Sequence, residues 1–244
     1  MQEHKHNVKS SAKPRLMFLV NTLAIGGAEM QVVRLCKHLQ VRGWNPYVVS
    51  LLPLGGLSED LASNGIRVSS LEMRKGIPNP FGLLRLAAIV REEQVEILNG
   101  HLVQASLMAR LVRMFVHVPV VISSMHSHKL VGVVGKNGSF SWRDVSHRMT
   151  DSMADITTTI SHASAKRLVS HGIVSRERVR VLPNGVDLAS FFRVEGARER
   201  VRASLGIGED DFVFLAAGRI EAAKDYPTLL KSLARMERKP TLII

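Results

Sequence analysis

Arg15-Leu-Met-Phe-Leu-Val-Asn21 runs into Ala24-Ile-Gly-Gly-Ala-Glu29, and beyond it Val32, Leu35, Cys36 and Leu39 recur at helical spacing. An unbroken apolar run of strand length, a glycine turn and a 3.6-residue period together read as strand, turn, helix, the opening of an α/β sheet. The rhythm continues with β-rich runs at Tyr47 to Leu52, Ile66 to Leu71, Val95 to Leu98, Pro119 to Ser123 and Ile156 to Ile160. Between them lie helical stretches at Leu57 to Ser63, at Phe81 to Glu93, around Leu107, Leu111, Met114 and Phe115, through Met153, and from Ser161, the expected N-cap, to Gly172, the expected C′ glycine. Strands separated by helix-length segments require right-handed βαβ crossovers, hence a parallel sheet covered on both faces.

Composition fits this reading. Of 244 residues, 45% are hydrophobic and 22% charged, which excludes intrinsic disorder, collagen-like repeats and coiled coil. The single cysteine, Cys36, excludes an internal disulfide and a multi-cysteine metal site and suits a reducing, cytoplasmic setting. No apolar run approaches the roughly 20 residues of a membrane span, and the basic start, Met1 to Arg15, has no secretory pattern. A formal charge of +12 favours anionic partners.

Lys129 to Arg143, rich in glycine, reads as a long loop. Val179-Arg-Val-Leu182 meets the turn Pro183-Asn-Gly-Val-Asp187, and the charged run Arg193 to Arg202 separates it from another strand, Phe212 to Ala217. A domain boundary is therefore expected near residues 188–205, giving a basic tail at 1–15, a first domain at 16–190 and a second segment at 191–244. That last segment holds one βαβ unit, with Leu229, Leu230, Leu233 and Met236 on its helix. It ends inside the strand Thr241-Leu-Ile-Ile244, so the second domain is expected to be incomplete.

Residues suited to chemistry cluster at strand ends. Gly26 and Gly27 precede a helix N-terminus, where backbone N–H groups and the helix dipole favour an anion. Gly-x-Gly-x-x-Gly and Gly-Lys-Ser/Thr patterns are absent, which disfavours NAD and ATP. Gly218-Arg219 and Lys224 hold the equivalent place in the second βαβ unit, two cations that an anion would reconcile with the positive helix end. His101, His126 and His128 follow strands, at the edge where open parallel sheets bind ligands. No third ligand accompanies the histidines, so no metal site is expected. The basic segments at Arg176, Arg178, Arg180 and Arg193 to Arg202 read as a solvated face or as contact with an anionic membrane. Aromatic content of 5% disfavours a nucleic-acid stacking platform.

Three motifs in register, Ile25-Gly-Gly-Ala-Glu29, Val181-Leu-Pro-Asn-Gly-Val-Asp187 and Gly218-Arg-Ile-Glu-Ala-Ala-Lys224, resemble the family 4 glycosyltransferases of the GT-B fold. His101 to Arg110 and Val121 to His126 are similar to members that build bacterial surface polysaccharides. The resemblance implies two Rossmann-like domains, the second incomplete here because the family's Glu-x7-Glu pair would lie beyond Ile244. It further implies retaining transfer of a hexose from a nucleotide diphosphate-sugar to a glycan or lipid-linked acceptor, with no metal or other cofactor. Gly26, Gly27, Arg219 and Lys224 would meet the donor diphosphate and His126 would be the catalytic residue. Glu29, His101 and Asn184 would line the acceptor cleft. The competing expectation is a non-catalytic module that binds an anionic glycan or lipid.

Overall fold

Leu16–Val20 (β1) is buried along its whole length, as a strand with helices on both faces must be. The computed structural model describes residues 13–74, 80–126, 142–218, 220, 222–237 and 240–244, and the chain divides into two compact units, Met1–Gly185 and Val186–Ile244. The first unit adds β2 (Tyr47–Ser50), β3 (Arg67–Ser70), β4 (Ile97–His101), β5 (Val120–Met125), β6 (Ile156–Thr159) and β7 (Val179–Val181). These seven strands form one sheet in the order β3-β2-β1-β4-β5-β6-β7. Every neighbouring pair is parallel.

Its helices are α1 (Gly27–Val41), α2 (Leu57–Ser63), α3 (Pro80–Glu92), α4 (Leu102–Leu111), α5 (Trp142–Met149) and α6 (His162–Ser170). Alternate residues of β1 feed opposite faces of the sheet. Met17 and Leu19 join Leu98, Val121 and the α3 and α4 residues Leu86, Val90, Ala105 and Ala109. Leu16, Phe18 and Val20 join Val32, Val33 and Cys36 of α1 with Leu57 and Leu61 of α2. That division of labour is why the strand shows no polar alternation. Ser161 caps α6 by accepting from the Ser164 amide, and Gly172 follows it at φ +63°, as the sequence implies.

Three helix faces differ from their expected orientation. Leu35 is exposed and Val33 is buried in its place on α1, while Leu230 is exposed on the last helix. On α4, Ala105, Ala109 and Val112 form the core contact, and Met114 and Phe115 are exposed. The cause is close packing: a Cβ on Gly100 of β4 would stand 2.7 Å from the Ala105 carbonyl oxygen and from the Ser106 Cα. Backbones this near admit only small side chains between them, so the leucines are displaced to the flanks. Strands β4 and β5 also run further than expected, to His101 and Met125, carrying polar residues into the sheet.

The second unit, taken by itself, contains α7 (Ala197–Ser204) and a parallel pair, β8 (Val213–Leu215) and β9 (Thr241–Ile243), joined through α8 (Tyr226–Ala234). The tail up to residue 12 and most of the expected loop, residues 129–141, lie outside the described residues. Among the described residues no helix is long and apolar enough to cross a membrane.

Candidate active site

Strand order reverses between β1 and β4, and in open parallel sheets a crevice for ligands forms outside the strand ends at such a point. Four sequence-predicted residues lie at the carboxyl ends of β1, β4 and β5: Gly26, Gly27, His101 and His126. Gly26 is the N-cap of α1, and no side chain caps that helix. Any Cβ at Gly26 would collide with the Glu29 carboxylate, which folds back over it from the first turn. Glu29 thus already supplies negative charge to the positive helix end. Gly27 has open space at its Cα.

The neighbouring helix is closed differently. Asn21, at the end of β1, accepts the Ala105 amide of α4 through Oδ1 at 2.9 Å, so one strand end caps the helix of another. Leu102, the first residue of α4 and directly after β4, adopts φ +67°, a left-handed conformation costly for a bulky residue and maintained only by surrounding structure. On the other flank, Gln31 of α1 donates to the Gly185 carbonyl at 2.9 Å. This bond brings the exposed Asn184-Gly185 turn against α1 within the same unit.

The two histidines meet. Nδ1 of His101 is 2.8 Å from Nε2 of His126, and the rings stack with centroids 5.0 Å apart and planes 29° apart. His101 is buried, and burial pushes its imidazole down to about 3, with the His126 ring adding to the effect. His126 is half-buried and burial also holds it below the ordinary imidazole range. At neutral pH both rings are uncharged, so the pair offers hydrogen bonds rather than cationic charge. Behind it runs a polar ladder across three strands: Thr158 donates to Ser124 at 2.9 Å, and Ser124 donates to Asn99 Oδ1 at 2.9 Å.

Sequence reasoning missed a second polar cluster, centred on Arg110. This side chain on α4 is fully buried and donates to Ser123 Oγ at 2.8 Å, the His147 carbonyl at 2.9 Å, Thr157 Oγ1 at 3.1 Å and Thr150 Oγ1 at 3.4 Å. Burial lowers the guanidinium to about 10, and the nearby Asp151 carboxylate opposes that shift. Asp151 in turn accepts from Arg178 at 3.0 Å and from the Ser175 amide at 3.0 Å. His147 is buried and pushed down to about 3, chiefly by burial and then by Arg110. No sequence signal singled out Arg110: it directly follows Ala105-Ser-Leu-Met-Ala109, a stretch that reads as an ordinary apolar helix.

In the second unit, Lys224 is exposed, ends a short 3-10 turn and lies two residues before the start of α8. Its stem passes over Gly218, where a Cβ would be 3.3 Å from Cε, and Tyr226 donates to the Gly218 carbonyl at 3.0 Å. Asp225 caps α8 by accepting from the Thr228 amide. Arg219 and His128 lie outside the described residues. Among the described residues no group of three His, Cys, Asp or Glu side chains is placed to hold a metal. The Cys36 thiol, buried and pushed up to about 12, is not a nucleophile at physiological pH.

The profile of Glycosyltransferase Family 4 matches residues 25–190, more than half of the chain. A putative glycosyltransferase EpsF of Bacillus subtilis is 24% identical over 238 residues, 94% of this chain and 60% of that protein. A D-inositol 3-phosphate glycosyltransferase of Pseudarthrobacter chlorophenolicus is 34% identical over 97 residues, 39% of this chain and 22% of that protein. Among solved structures, Anabaena Alr3699/HepE in complex with UDP superimposes with a TM-score of 0.73 at 19% identity, covering 93% of this chain and 59% of that one. Sucrose-phosphate synthase from Thermosynechococcus elongatus gives 0.71 at 16% identity, with 92% and 60% coverage. At these identities the structures establish the fold, which is the expected α/β, GT-B type. The chain spans about 60% or less of the length of each of these relatives.

Proposed function

The chain belongs to Glycosyltransferase Family 4, and on that premise we propose that it transfers a hexose from a nucleotide diphosphate-sugar to a hydroxyl of a glycan or lipid-linked acceptor, in cell-surface polysaccharide synthesis and with retention. The observation that carries this reading is the His101–His126 pair at the carboxyl ends of β4 and β5, beside the point where strand order reverses between β1 and β4. Likeness to a protein solved with UDP-glucose supports a nucleotide-sugar donor.

In this reaction the anomeric carbon exchanges its bond to the diphosphate oxygen for a bond to the acceptor oxygen, and the acceptor's proton ends on the departing diphosphate. The chain's residues divide the work by position. His126, neutral and half-buried, hydrogen-bonds the donor sugar; Gly26 and Gly27 allow close backbone approach to the diphosphate or acceptor. Arg219 and Lys224 neutralise the leaving group, the task a metal performs elsewhere. Glu29 and Asn184 border the acceptor side. The net positive surface supports contact with anionic lipid when the acceptor is lipid-linked.

Calorimetric titration with uridine, UMP and UDP tests the diphosphate site. Lys224→Ala is expected to weaken UDP by about 10-fold, the lower end for a hydrogen bond to a charged group, and to leave uridine unchanged. Equal UDP affinity in the parent and the variant would remove Lys224 from the site.

A further inference from the structure

Helix α4 carries an apolar stripe that the fold leaves outside. Close packing on Gly100 turns Ala105 and Ala109 inward, so Leu107 and Leu111 are half-buried. Met114 and Phe115, where the following 3-10 turn Val112–Met114 ends, are exposed. Helix α3 runs on the same side of the sheet, since its Leu86 and Val90 join the same core as Ala105 and Ala109. Its outer face repeats the pattern: Phe81, Leu84 and Ala88 recur at helical spacing and are exposed. Arg91, nearly one turn beyond Ala88, donates to the Phe115 carbonyl at 3.2 Å, which joins the two stripes into one surface. Phe81 is 71% exposed and Met114 67%. Single exposed apolar residues are ordinary, but a contiguous patch marks a surface that takes a partner.

The charge around the patch has one sign. No Asp or Glu occurs between Glu72 and Glu92, nor between Glu96 and Asp144, the two stretches that build it. Arg85 and Arg91 flank the α3 stripe, Arg85 reaching the Leu71 carbonyl at 2.8 Å and Arg91 the Phe115 carbonyl. Bonds to carbonyls position a guanidinium without cancelling its charge, and among the described residues neither arginine forms an ion pair. The first acids met, Glu92 and Glu93, act on Arg67 instead. Like charge opposes a second copy of this face. An anionic lipid surface offers phosphates to the arginines and, beneath them, an apolar layer to the stripe.

We propose that the outer face of α3, together with the turn after α4, docks on an anionic lipid bilayer. Phe81, Leu84, Met114 and Phe115 enter the interface, and Arg85 and Arg91 meet the headgroups. This docking rests on the function proposed above only for its purpose, which is to bring the chain to a lipid-linked acceptor.

The test is sedimentation of the 244-residue chain with vesicles of equal parts phosphatidylglycerol and phosphatidylcholine, against vesicles of phosphatidylcholine alone. The chain is expected to bind the anionic vesicles about 30-fold more tightly, the effect of two arginines near such a surface. Leu84→Ser with Met114→Ser should weaken that binding by about 10-fold or more. Val41→Ser, which removes an exposed apolar side chain from α1 on the other face of the sheet, should leave it unchanged. Should the serine pair fail to fold, Arg85→Gln with Arg91→Gln keeps the stripe and is expected to lose about 30-fold. No binding to the anionic vesicles, equal binding by parent and patch variants, or an equal loss in Val41→Ser overturns the proposal. A chain that ignores the vesicles but forms a dimer abolished by the serine pair gives the face to a second copy instead. The vesicles carry neither donor nor acceptor, so failure here leaves sugar transfer to be judged by turnover, and failure of turnover leaves the docking to be judged here.

Discussion

Lowering the pH from 7 to 5 should destabilise the first unit by about 4 kcal/mol, because His101 and His147 are buried as neutral rings. Each titrates at about 3 in the folded chain, against an ordinary imidazole value of 6.5. Between these values the unfolded chain binds a proton that the folded chain does not, so stability rises with pH across that window and falls on acidification. At pH 5 the unfolded value lies 1.5 units above the pH, and at about 1.36 kcal/mol per unit each histidine costs about 2 kcal/mol. Both side chains are almost fully enclosed, so solvent screening removes little of this. Urea titrations at pH 5, 6 and 7, followed by circular dichroism, measure the change. The variant His147→Leu should halve the dependence to about 2 kcal/mol, since one of the two rings is gone. A change below about 1 kcal/mol in the parent, or an undiminished dependence in the variant, would show that one ring takes up its proton without unfolding and would refute the reasoning.

Arg110→Met should cost about 3–5 kcal/mol in urea titration, because it strands the His147 carbonyl and leaves Asp151 without its second cation. A loss under about 1 kcal/mol would mean the guanidinium is replaceable by apolar packing. Gly100→Ala should lower stability by about 2–3 kcal/mol, since the new methyl meets α4 backbone that cannot move aside as a side chain would. A melting temperature equal to the parent's would show that α4 stands further from β4 than described.

The alternation of strands and helices was legible because each apolar run of the first unit is bounded by a turn signal, and β1 is apolar on both faces for the reason parallel strands are. What could not be read was how closely α4 approaches the sheet. Leu107, Leu111, Met114 and Phe115 make a convincing apolar stripe, but Gly100 on another element decides that Ala105 and Ala109 face inward. The same long-range fact hides Arg110, whose partners come from β5, β6 and the α5 segment, 13 to 47 residues away. The histidines were legible as strand-end groups. Their contact was not, because it depends on the register of β4 against β5, which places His101 opposite Ser124 and brings His126 to its ring.

The central claim is sugar transfer through a site that includes His126, and the most direct measurement is nucleoside diphosphate release from a panel of nucleotide diphosphate-hexoses with glycan and lipid-linked acceptors. Mass spectrometry of the acceptor, run in parallel, identifies the product. The account predicts release from at least one donor, an acceptor heavier by one hexose, and at least a 10-fold loss of rate in His126→Ala with its fold retained, since one hydrogen bond to the transition state is removed. Tight binding of an anionic glycan or lipid with no release from any donor, or equal rates in parent and variant, would contradict it.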